Sequence, residues 1–125
     1  MARNPLPPVA AVVSFIDCIN RTDLAGIGAL MTDDHELIIL DEAPLVGRDA
    51  NVEAWNGYFN AFPDYVIYPC HISAVGAEVT VVGNTTGSHL GLPDDEELQF
   101  DVTWLGEVVD GRLKRWQIVA PTSAS

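Results

Sequence analysis

Apolar residues recur in steps of three and four through the first half of the chain and in steps of two through the second, which predicts helices followed by strands. Val9, Val12, Val13, Ile16 and Ile19 set the first helical stripe, entered through Pro7 and Pro8, whose fixed φ suits an opening turn. Thr22 can cap a second, short helix that carries Leu24, Ile27, Leu30 and Met31, is weakened by Gly26 and Gly28, and ends at Thr32-Asp33-Asp34. Glu36 to Leu40 has strand length, and the proline-bearing segment 41–47 breaks it. A third helix has Asp49 in its first turn and Val52, Trp55, Phe59 and Phe62 along one stripe, and it stops at Pro63-Asp64.

From Tyr65 onward the period is two, giving strands near 65–75, 78–91, 97–108 and 112–119, with turns at Gly76-Ala77, Leu92 to Glu96 and Asp110-Gly111. Helices gathered before a run of long strands make an α+β domain. Strands of about twelve residues do not stay flat in so small a chain, so the antiparallel or mixed sheet must curl and the three helices wrap it around a cone-shaped pocket. Gly83, Gly87 and Gly91 share one parity on the second long strand, which would bend it and leave room on one face.

With 125 residues the chain suits one domain, 1–125, with tails at 1–8 and 120–125. Eighteen acidic residues against six basic ones give a net charge of -12, which repels polyanions and excludes nucleic acid and anionic membrane as partners. Cys18 and Cys70 read as buried free thiols, and the N-terminus lacks a signal-peptide pattern; both point to a cytoplasmic location. The three histidines have no metal-ligand spacing, and neither a metal nor a cofactor is called for.

Ile19 to Ile27 followed by Ala29 to Asp34, then Gly47-Arg48-Asp49, Thr86 to Gly91, and Asp110 to Trp116 resemble ketosteroid isomerases and SnoaL-like polyketide cyclases of the nuclear transport factor 2-like superfamily. The resemblance implies a cystatin-like, ketosteroid isomerase-like fold. It also implies three isomerase roles, which fall here on Phe15 for the tyrosine donor, on Ile39 or the nearby Asp41 for the base, and on Asp101 for the neutral acid. Against the cyclases, the acid/base aspartate and upstream histidine correspond to Gln117 and Thr103.

Asp101 lies between Phe100 and Val102; if it lines an apolar cavity, its charged form is disfavoured and it can exchange a proton near neutrality. Asp41, at the end of a strand, and His89, on the glycine-lined face, are the second proton carriers. Phe15, Trp55, Phe59 and Phe62 would wall the cavity, and Thr103 and Gln117 would orient the substrate. With those residues inward, Phe100, Val102, Trp104, Trp116 and Ile118 face outward, an apolar patch that a homodimer through the outer sheet face would cover. Asp94 to Glu97 reads as a solvated charge cluster in a turn. Three functions stay open: an acid–base cyclase, isomerase or dehydratase acting on a hydrophobic oxygenated small molecule, a non-catalytic binding module, and an epoxide hydrolase built on Asp101, Asp41 and Arg115.

Overall fold

A computed structural model describes residues 5–123, with side chains to Val119. In chain order the elements are α1 (Pro8–Asn20), α2 (Leu24–Ala29), β1 (Met31–Ile39), β2 (Leu45–Val46), α3 (Arg48–Ala61), β3 (Val66–Val75), β4 (Glu78–Thr86), α4 (Asp94–Glu97), β5 (Phe100–Val109) and β6 (Arg112–Ser123). The six strands form one curved open sheet in the order β2-β1-β6-β5-β4-β3. Every neighbouring pair is antiparallel except β1 with β6, which run parallel. Among the described residues, no helix is long and apolar enough to cross a membrane.

The boundaries differ from expectation where local chemistry overrides periodicity. Asp23, not Thr22, caps α2, its carboxylate accepting from the Gly26 N–H at 3.0 Å, while Thr22 takes a left-handed turn with φ of 52°. Met31 leaves the helix and opens β1, buried beside Leu113. The last strand runs to Ser123, pairing Asp101 with Thr122, where a tail was expected from residue 120. Of the two cysteines, Cys18 is buried and Cys70 is exposed beside the bulge in β3.

The larger correction concerns which face of the sheet is which. Val102, Trp104 and Gly106 on β5 turn toward the helices, and across the ladder Trp116 and Ile118 on β6 do the same. Asp101, Thr103, Leu105 and Gln117 therefore sit on the opposite, outer face, half-buried. Side chains alternate strictly along a strand, so the sheet must commit one whole parity to the core, and the parity holding two tryptophans wins. An apolar outer patch of Phe100, Val102, Trp104, Trp116 and Ile118 thus has no counterpart, and the homodimer expected on its strength loses that support.

The core is built on α1. Phe15 is fully buried, with ring centroids 5.3 Å from Trp116 and 6.4 Å from Trp55, and Trp104 stacks on Trp116 at 6.3 Å. Only one of the three glycines expected on β4 lies within it. That residue, Gly83, faces the bulge of β3, where a methyl group would run into the Tyr68 carbonyl oxygen and Pro69. Gly83→Ala is expected to cost about 1–3 kcal/mol through backbone displacement, measured by urea unfolding; a loss below about 0.5 kcal/mol would show that the bulge yields.

His35 on β1 is completely buried, and its Nδ1–H donates to the Leu113 carbonyl oxygen at 2.7 Å. Burial is the main cause that holds its pKa below the ordinary histidine value, against the opposing pull of that hydrogen bond. In the unfolded chain the ring titrates near pH ~6.5, so unfolding takes up a proton as the pH falls below that point. Stability is fully present above pH ~6.5 and is lost below it, by at most about 1.4 kcal/mol per pH unit for one proton. Unfolding curves between pH 7 and 5 should show this slope, and His35→Gln should flatten it; an unchanged slope in the variant would assign the effect elsewhere.

Candidate functional site

Curvature of the sheet leaves a cavity of about 280 Å3 between its concave face and α3. The end of β1 supplies Leu37, Ile39 and Leu40, α3 supplies Ala54, Trp55 and Tyr58, and the central strands supply Val102, Trp104 and Ile118. Tyr65, Thr85, Ser88, His89 and Leu90 complete the wall. The lining is overwhelmingly apolar, with a few polar groups gathered at one side, a composition that suits a small organic ligand. The volume is just under the ~300 Å3 at which ligand pockets usually begin, so the occupant is small.

The polar side is organised by two short networks. At the mouth, the Tyr58 hydroxyl lies 2.9 Å from His89 Nδ1 and accepts the His89 backbone N–H at 3.2 Å. The phenol can meet Nδ1 in either of two ways: it donates to a bare Nδ1 and leaves Nε2–H as a proton donor, or it accepts Nδ1–H on its second lone pair and leaves Nε2 bare as a proton acceptor. Tyr58 is partly buried, and that burial raises its pKa, partly offset by the hydrogen bond to His89. Behind the wall, Glu97 is 1% exposed; the Thr85 hydroxyl donates to its Oε2, and the Ser88 N–H donates to its Oε1 at 3.4 Å.

The segment carrying His89 is a turn and not a strand. β4 ends at Thr86, and Gly87 and Gly91, with φ of 70° and 68°, bracket Ser88, His89 and Leu90. At Gly87 the conformation is doubly required, because a side chain would also strike the Asp64 carbonyl group. Thus the glycines expected to thin one face of a strand instead aim a three-residue turn at the cavity.

The residues singled out from sequence scatter. Trp55 and His89 line the cavity. Phe59 packs against Trp55 at 5.5 Å, and Phe62 against Tyr58 at 4.8 Å and His89 at 6.2 Å, so both back the wall without forming it. Phe15 lies deeper, in the core. Asp41 is exposed in the turn after β1, one residue past the lining residue Leu40. Asp101, Thr103 and Gln117 are on the outer face, where the Asp101 carboxylate accepts from Asn84 Nδ2 at 3.2 Å. The aspartate that was to carry proton chemistry in a greasy interior is therefore displaced from it.

Sequence reading missed Tyr58, Tyr65, Thr85, Ser88 and Glu97. Tyr58 was within reach, because it follows Trp55 by three residues and shares its stripe on α3. Glu97 was not: it closes a run of four acidic residues, and only the tertiary fold brings Thr85 and Ser88 to it.

Comparison with known proteins agrees with this architecture. A protein of Sinorhizobium meliloti proposed to be a polyketide cyclase superposes with a TM-score of 0.72 at 24% identity, covering 90% of this chain and 94% of its own. A cystatin-fold protein of Novosphingobium aromaticivorans superposes at 0.79 with 18% identity, covering 92% and 99%. An epoxide hydrolase of M. tuberculosis, described as LEH-like, superposes at 0.73 with 19% identity, covering 90% and 80%. At these identities the likeness is one of fold. No curated protein matches the chain. The profile of the SnoaL-like domain matches residues 12–116, and with a curved sheet, wrapping helices and concave cavity in place, the chain belongs to the SnoaL-like domain family.

Proposed function

We propose that the protein binds a small, apolar, oxygen-bearing organic molecule in this cavity and moves a proton on it, in a reaction of the cyclisation, isomerisation or dehydration type. The observation that carries this reading is the Tyr58–His89 pair, 2.9 Å apart at the mouth of an otherwise greasy chamber. A phenol on Nδ1 holds the ring in orientation and leaves Nε2 to give or take a proton according to the tautomer, the arrangement a general acid–base needs. The apolar walls strengthen each polar contact made inside them. Solved structures of similar fold include two proteins proposed to be polyketide cyclases and one proposed to be a ketosteroid isomerase, which supports small-molecule chemistry as the class.

A binding module is the second reading, favoured by one observation: among the described residues, no carboxylate lines the cavity. Epoxide hydrolysis has less support, because Asp101 and Arg115 lie on the outer face, where Arg115 pairs with Glu78 and Glu107. Titrating the protein with 2-tetralone, a small apolar ketone, while following the His89 ring nitrogens by NMR tests the reading. Saturable shifts at His89 and at the Trp55 indole support it, and shifts confined to residues outside the cavity remove it.

A further inference from the structure

Glu97 is the only fully buried carboxylate among the described residues, and the acid–base pair at the mouth makes no use of it. A carboxylate offers about four acceptor positions and no donor, so it dictates where neighbouring hydrogens point. Thr85 has one hydroxyl proton and gives it to Glu97 Oε2. Thr85 also forms part of the cavity wall, and with its proton committed it offers the cavity lone pairs alone.

Tyr65 is the complement. Thr85 pairs with Ile67 across β3 and β4, and Tyr65 precedes Ile67 by two residues, so the tyrosine and the threonine are diagonal neighbours on the concave face. The Tyr65 phenol is buried, and burial first, then the negative charge that Tyr58 and Glu97 would carry, pushes its pKa well above the ordinary tyrosine value. It keeps its proton and stays a donor.

An acceptor and a donor that both line the same apolar chamber, each on a buried residue, fit one small oxygen function. A hydroxyl group accepts from Tyr65 and donates to Thr85 at once. A ketone or ether oxygen can only accept, and it leaves the threonine lone pairs sealed in without a partner, a cost that a ketone escapes on enolising, so that it binds more weakly than its enol and remains a substrate, and that an ether does not escape. Sites built to hydrogen-bond a ligand hydroxyl reject analogues that lack it far more strongly than apolar pockets reject changes of shape.

Resting on the cavity as a ligand site, we propose that Glu97, acting through Thr85, is a specificity-determining residue that makes the cavity select a ligand hydroxyl, as in an alcohol, enol or phenol, over a ketone or ether oxygen. Glu97 is a positioning residue in this scheme; Thr85 and Tyr65 touch the ligand.

Calorimetric titration of 2-naphthol and 2-methoxynaphthalene, which differ by one methyl on oxygen, tests it. The wild-type protein should bind 2-naphthol at least about tenfold more tightly. Thr85→Val should bring the two affinities within about threefold by weakening 2-naphthol. Glu97→Gln should narrow the gap from the other side, because the amide can donate to the Thr85 oxygen and free the hydroxyl proton for an ether. Equal binding of both probes by the wild type, or undiminished discrimination in Thr85→Val, overturns the inference and leaves the cavity as a ligand site. Binding of neither probe removes both. If Thr85→Val does not give the wild-type amide NMR spectrum, Tyr65→Phe serves in its place, with the same loss of discrimination expected and retained discrimination counting against the proposal.

Discussion

Trp116→Ala is expected to lose about 3–5 kcal/mol of unfolding free energy, the cost of emptying a large aromatic site that its surroundings refill only in part. Trp116 is fully buried between Phe15 and Trp104, and it faces Gly106 across the β5–β6 ladder. In a chain of this size that loss corresponds to a melting temperature lower by roughly 10–25 °C. The neighbouring-parity control is Asp101→Asn, for which a change within about 1 kcal/mol is expected, because the carboxylate is half-buried and holds one hydrogen bond to Asn84. The two substitutions together decide which face of the sheet is the core. A mild Trp116→Ala paired with a severe Asp101→Asn would reverse the assignment and return Asp101 to the interior.

The second large effect concerns proton transfer. In deuterated buffer, the protein should accelerate exchange of the α-hydrogens of 2-tetralone, and His89→Ala should lower that acceleration by about 10²-fold or more, the usual contribution of a positioned general acid–base. Tyr58→Phe removes the partner of His89 Nδ1 while keeping the ring that packs on Tyr65 and Phe62 at about 5 Å. A smaller loss, about tenfold, is expected there, since the imidazole keeps its place but loses the group that orients it. Added imidazole should restore part of the rate in His89→Ala. Wild-type exchange no faster than buffer would leave the binding module as the function.

The fold was legible because period and punctuation agree along most of the chain. Pro8, the aromatic stripe of α3 and the Asp110-Gly111 turn each mark a boundary that tertiary packing has no reason to move. The facing of β5 was readable too, but only by weighing both parities together. Val102, Trp104, Trp116 and Ile118 outweigh Asp101, Thr103 and Gln117 in apolar area, and the greater area goes inward. Letting a candidate acid choose the face inverted the sheet and, with it, the expected interface. The site was less legible for a different reason. Tyr58, Thr85, His89 and Glu97 come from α3, β4, a glycine-bracketed turn and α4, and no spacing rule ties these positions to one another.

The parallel pairing of β1 with β6 also orders the assembly of the molecule. Residues 31–39 have only the two-residue β2 on one side and residues 113–118 on the other, and β2 reaches the sheet only through β1. On a ribosome, the N-terminal third must therefore wait, with Met31 and Leu37 uncovered, until the last strand has been synthesised, whereas the β3–β4–β5 meander can zip up as it emerges. Truncation a few residues into β6 should thus release not one edge but a whole flank of the open sheet, and chaperone dependence should be concentrated in that waiting interval.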